Sequence, residues 1–98
     1  MIAIGSDHAG FKIKESIKDF FQREGIDYKD FGTNSTESVD YPEFARKVSE
    51  SVAEFESEKG ILVCGTGIGV CIAANKIKGI RAALCHNVNY ARMARKHN

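Results

Sequence analysis

The sequence predicts an α/β fold in which a parallel sheet is covered on both faces by helices. Three observations carry this. Short apolar runs alternate with segments whose apolar residues recur at helical spacing. Glycines, capping residues and one proline punctuate the two kinds of segment. The residues able to do chemistry fall just after the apolar runs, where the carboxyl ends of parallel strands lie. The 98 residues, 43% apolar and 28% charged, suit one soluble globular domain with a modest core.

Taken in order, Met1 to Gly5 reads as a short buried strand and SDHAG as the turn leading into a helix from about Phe11 to Arg23. Phe11, Ile17, Phe20 and Phe21 give that helix an apolar face, and Gly25 stops it. Ile26 to Phe31 resembles a second strand, followed by the polar, turn-rich GTNSTESVD. Asp40 can cap the next helix, with Pro42 in its first turn and a core stripe of Phe44, Val48, Val52 and Phe55. Gly60 to Cys64 is the third strand, a glycine-rich turn opens a third helix near Val70, and Gly79 ends it. Arg81 to Cys85 supplies a fourth strand, after which Asn87 can cap a last helix through Tyr90, Met93 and Ala94. No internal repeat, linker or low-complexity segment interrupts this order.

Composition narrows the function. The net charge of +1, with acids and bases read as interspersed, points away from a nucleic-acid groove or an anionic membrane surface. Arg92, Arg95 and Lys96 read as a solvated helix end that complements the dipole, in preference to a small phosphate-facing patch. No apolar run approaches the ~20 residues that span a bilayer, and the first residues lack a secretory leader pattern, so the chain reads as cytoplasmic. Cys64, Cys71 and Cys85 are odd in number and lie in apolar runs, which suits reduced thiols. Their spacing holds no C-x-x-C pair, and no metal site is expected.

Residues 60 to 76, GILVCGTGIGVCIAANK, carry the most chemistry. A thiol, a run of unobstructed backbone N–H groups and a helix start converge there, and the positive end of a helix attracts anions and favours thiolate; Cys64 taken alone reads equally as a buried small hydrophobe. Val70 stands where a dinucleotide fingerprint needs its third glycine or alanine, and no G-K-[ST] follows, so phosphate or oxyanion binding ranks above NAD or a Walker loop. One glycine would suffice for a tight turn, and three beside a cysteine and a threonine favour a site. Asp7 beside His8 can divide proton transfer and anion binding, or act only as a helix cap and a surface histidine. Tyr41 before Pro42 reads as a staple on its helix in preference to a lid over a pocket.

The segments GSDHAGFKIKESI, DFGT, SVDYP, GILVCGTGIGVCIAANKIKGIRAAL and YARMARKHN, in this order and over nearly the whole chain, closely resemble the ribose-5-phosphate isomerase B family, which includes the galactose-6-phosphate isomerase subunits. The resemblance implies a three-layer αβα, Rossmann-like sheet of five parallel strands, of which four are expected here. It implies an aldose–ketose isomerisation of a phosphorylated sugar through a cis-enediolate, with no metal or organic cofactor. Cys64 would be the base. The N–H groups of Gly65, Gly67, Ile68, Gly69 and Val70, with Thr66, would bind the enediolate oxygens. Asp7 would contact sugar hydroxyls and assist ring opening, His8 would hold phosphate, and Tyr41 would line the pocket. His97 matches the family's ring-opening histidine and Asn98 its substrate-contacting neighbour.

Ribose 5-phosphate is the implied substrate, ahead of allose 6-phosphate or galactose 6-phosphate. A homodimer or dimer of dimers is implied, since family sites form at a dimer interface, and neither nucleic acid nor membrane is an expected partner. Family members are longer, so residues 1–98 are expected to form one C-terminally incomplete domain. The implied remainder would carry a fifth strand between the third and fourth, a helix and further basic residues. Two competing readings are a non-catalytic fragment that keeps the anion-binding turn and a redox module using Cys64 and Cys71.

Overall fold

The structure, a computed structural model, describes Met1–Asn98. Its elements are β1 (Ile2–Ser6), α1 (Phe11–Glu24), β2 (Tyr28–Asp30), α2 (Tyr41–Ala53), β3 (Lys59–Val63), α3 (Ile68–Asn75) and α4 (Val88–His97). The strands form one parallel sheet in the order β2-β1-β3, with Ile4 paired to Asp30 on one side and Ile61 on the other. Both α1 and α2 pack on β1 and β3, and α3 packs against α2; the right-handed rule for parallel crossovers puts α1 and α2 on opposite faces. The α/β architecture is therefore as expected, and all three strands point their carboxyl ends the same way.

The core is small and sits on β1, where Ala3 and Ile4 are fully enclosed, with Phe21 from α1, Ala45 and Val48 from α2, and Val70 and Ala74 from α3. Val48 brings α2 close to the sheet. A Cβ on Gly5 would come within 2.7 Å of its Cγ2, and one on Gly60 within 2.8 Å of its Cγ1. Any side chain on either strand position would push the helix outward and open the core.

Four expectations are corrected. Arg81–Cys85 has no regular secondary structure and is not a strand. A strand exists only with a hydrogen-bonded neighbour; β3 pairs with β1 alone, and nothing within residues 1–98 fills the space beside its other edge. The sheet thus has three strands, not four. Phe55 is no part of the α2 stripe: α2 ends at Ala53, Phe55 takes φ 64 in the turn that follows, and the residue is 92% exposed. Phe20 likewise points outward, leaving Phe21 to fill the core. Asp40 occupies the cap position of α2, yet its carboxylate makes no capping bond.

The buried side of α1 also holds a charge. Lys14 is fully enclosed, with its Nζ 2.6 Å from Asp30 and 2.9 Å from Glu15, and Lys18 reaches the same Asp30 oxygen at 2.8 Å. The other Asp30 oxygen accepts the Gly32 N–H at 2.8 Å. Gly32 and Thr33 in turn exchange backbone bonds with Ser6. This network fastens the β2–α2 loop to the end of β1, next to Asp7 and His8.

Candidate active site

Two strand ends and one helix start meet at the carboxyl edge of the sheet. The Asp7 N–H donates to the Val63 carbonyl at 3.2 Å, which joins the ends of β1 and β3. Asp7 is buried, and its Oδ1 accepts the Gly10 N–H at 3.0 Å, capping the turn into α1. One carboxylate oxygen is thus structural, and the second remains for another partner. The His8 Nδ1 accepts the Val39 N–H at 3.1 Å. That bond assigns the proton of the neutral ring to Nε2, which leaves one donor.

The turn after β3 has the form expected from its sequence, with one difference. Cys64 is half-buried, and its Sγ accepts the Gly67 N–H at 3.1 Å. The Thr66 Oγ1 accepts the Ile68 N–H at 3.1 Å. Two of the predicted ligand donors, at Gly67 and Ile68, are therefore held internally. The N–H groups of Gly65, Thr66, Gly69 and Val70 have no protein acceptor, and they surround the start of α3. A helix start with free amides beside a thiol is suited to an oxyanion.

The three glycines serve three neighbours. Gly67 is the one whose backbone requires it, with φ 81 at the N-cap of α3 and Leu84 packed where a Cβ would sit. Gly69 is crossed by the Tyr41 ring: a Cβ there would lie 2.8 Å from Tyr41 Cε1 and Cζ. Tyr41 therefore lies over the turn, in contact with Gly69 as well as on its own helix. Gly65 faces the Ala9 Cβ across 3.7 Å, an ordinary contact.

Asp7, His8, Tyr41, Cys64, Thr66 and the turn are brought together. His97 and Asn98 are not. Asn87 caps α4 through a 2.9 Å bond from the Tyr90 N–H, and the helix then runs back away from the turn for about 15 Å. At its end, His97 is exposed and the Asn98 carbonyl accepts a 2.7 Å bond from Arg81, at the far end of the Arg81–Cys85 segment. Leu84, packed on Gly67, is a contact of the turn that the sequence did not single out; a leucine in an apolar run carries no signal for it.

The charges are also segregated and not interspersed. Glu58 is the last acid in the sequence, and every ion pair of the structure lies within residues 1–58. The half of the chain that holds the turn carries Lys and Arg without a carboxylate partner. Its potential favours an anionic ligand. No helix is long and apolar enough to cross a membrane.

A family profile described as Ribose/Galactose Isomerase matches residues 2–98. Ribose-5-phosphate isomerase B from Escherichia coli is 46% identical over 97 residues, covering 99% of this chain and 65% of that protein. D-erythrulose-4-phosphate isomerase from Pectobacterium atrosepticum is 44% identical over 98 residues, covering 99% of this chain and 64% of its own length. The solved structure of Clostridium thermocellum ribose-5-phosphate isomerase B superposes with a TM-score of 0.96 at 55% identity, covering 99% of this chain and 66% of that one. The chain thus spans 64 to 66% of the length of these three proteins. With the profile matching all but its first residue, the chain belongs to the ribose/galactose isomerase family.

Proposed function

We propose that residues 1–98 carry the catalytic face of a cytoplasmic aldose–ketose isomerase that interconverts ribose 5-phosphate and ribulose 5-phosphate. The observation that carries this is the Cys64 sulfur at the start of α3, accepting an N–H bond beside four turn amides with no internal acceptor. The Cys64 thiolate removes the C2 proton of the open-chain aldose and returns it to C1. The electron pair left behind becomes the cis-enediolate, and a proton passes from the C2 oxygen to the C1 oxygen. Preorganised N–H donors stabilise the charge that develops, and the loss of one such donor can cost ~3 kcal/mol.

Asp7 contributes its second oxygen to the sugar hydroxyls, and the His8 Nε2–H donates to a phosphate oxygen. Tyr41 covers the turn and limits water. His97 and Asn98 lie too far along α4 to reach the turn of their own chain, which supports a homodimeric assembly, or a dimer of dimers, in which a second copy supplies them. The single domain proposed here acts within that assembly.

Conversion of ribose 5-phosphate by the chain and by its Cys64→Ala variant tests the reading. Turnover abolished by the substitution supports it; turnover that survives refutes Cys64 as the base. A second substrate reading, a four-carbon ketose phosphate, is favoured by the Pectobacterium relative, whose name specifies D-erythrulose 4-phosphate. Galactose 6-phosphate and allose 6-phosphate complete the comparison, and relative kcat/KM values rank all four.

A further inference from the structure

The Arg81–Cys85 segment runs beside α3, outside the three-stranded sheet. Its backbone hydrogen bonds within residues 1–98 go to α3. The Asn75 Oδ1 accepts the Ala82 N–H at 2.8 Å, and the Asn75 Nδ2 donates to the Ala82 carbonyl at 2.9 Å. One carboxamide thereby satisfies both polar groups of a single residue, as the backbone of a neighbouring strand would. The same Nδ2 donates to the Cys71 carbonyl at 3.0 Å, which ties the clamp to the body of α3. Apart from a 3.6 Å contact from the Cys71 thiol to the Ala82 carbonyl, no other hydrogen bond reaches the backbone of residues 81–85.

The consequence is felt at the other end of α3. Two residues beyond Ala82, Leu84 packs against Gly67, the N-cap whose N–H is bound to the Cys64 sulfur. The segment is therefore a strap laid along α3, anchored at the helix end by Asn75 and pressing on the turn through Leu84. We infer that Asn75 is a positioning residue: it sets the register of the strap and, through Leu84 and Gly67, the geometry of the Cys64 turn. Its bearing on catalysis rests on the isomerase reading above; its bearing on the strap does not.

Amide hydrogen exchange of the full chain, read by NMR, tests the strap without a turnover assay. In Asn75→Ala the Ala82 amide is expected to lose about 10- to 30-fold of protection, the loss of two hydrogen bonds, while Ile4 and Gly5 in β1 stay within about 2-fold. In Asn75→Asp the carboxylate still accepts the Ala82 N–H but opposes the Ala82 carbonyl. Protection of Ala82 is therefore expected to be low at pH 7 and to recover toward pH 4, where the protonated acid can donate again. Unchanged protection of Ala82 in Asn75→Ala, an equal loss in β1, or a deficit in Asn75→Asp that ignores pH would each overturn the proposal. In the activity arm, Asn75→Ala is expected to lower kcat about 10-fold with KM within about 3-fold, since misplacement of a reacting group acts on the chemical step. A KM effect with unchanged kcat would remove the catalytic half of the inference. Absence of turnover in the unmodified chain would count against the isomerase reading alone and leave the exchange experiment to decide on the strap.

Discussion

The buried charge cluster on α1 makes the sharpest stability prediction. Lys14 is fully enclosed between Asp30 at 2.6 Å and Glu15 at 2.9 Å, and Asp30 is itself held by Lys18 and by the Gly32 N–H, both at 2.8 Å. The two ends of the pair are therefore unequally protected. Asp30→Asn leaves a buried ammonium with only Glu15, whose side chain is 41% exposed, to balance it. Breaking a buried pair from one side costs ~3–5 kcal/mol, and the surviving Glu15 contact puts the cost near the lower bound, about 3 kcal/mol. That corresponds to a fall of roughly 12–24 °C in Tm for a domain of this size. Lys14→Met removes the buried charge, keeps an unbranched stem of similar volume and leaves Asp30 with Lys18 and Gly32, so it should cost no more than about 1 kcal/mol. Urea unfolding followed by circular dichroism measures both. Equal losses in the two variants, or a loss below about 1 kcal/mol in Asp30→Asn, would refute the reasoning that an orphaned buried charge dominates.

The remaining predictions concern pH and the glycine turn. Burial opposes the charge on Asp30, but bonds from Lys14, Lys18 and Gly32 outweigh it and hold the carboxyl below its ordinary 3.8. The Lys14 hydrogen bond, with that of Lys18, holds Glu15 below 4.5. Lys18 is raised above 10.5, chiefly by its bond to Asp30. Groups lowered on folding stabilise above their unfolded values and lose this as pH falls, whereas a raised lysine loses its contribution only above 10.5. Stability from this cluster should therefore be flat from about pH 5 to 10 and fall below about pH 4, with a shallower acid limb in Asp30→Asn when urea midpoints are compared. Gly69→Ala should displace the Tyr41 ring and raise KM for the sugar phosphate, with a stability cost of about 1–3 kcal/mol, while Gly65→Ala, facing open contact at 3.7 Å, should change stability by less than about 0.5 kcal/mol. Matching effects at the two glycines would contradict the close approach of Tyr41.

Much of this was legible in the residues because it depends on local chemistry. Alternating periodicity gave the strand and helix order through β3, Asn87 was readable as a cap because a short amide side chain at that position reaches the N–H three residues on, and the thiol with its glycines marked the turn. What could not be read depends on contacts distant in sequence. Arg81–Cys85 has the composition of a strand, but strandhood is settled by a neighbour, and within residues 1–98 its backbone bonds go to a carboxamide of α3. Lys14 carries no local signal for burial, since only the fold brings Asp30 beside it. Phe55 fits the spacing of α2 and fails because the helix stops two residues short of it. Which turn amides stay free likewise depends on where the Cys64 and Thr66 side chains fold back.

The most direct test of the Cys64 turn as an isomerase site is deuterium uptake by the substrate. The chain would be incubated with ribulose 5-phosphate in D2O and the sugar carbons followed by NMR. The account predicts deuterium at the carbon that receives the proton, in the unmodified chain and not in Cys64→Ala; uptake that persists at an equal rate in Cys64→Ala would contradict it.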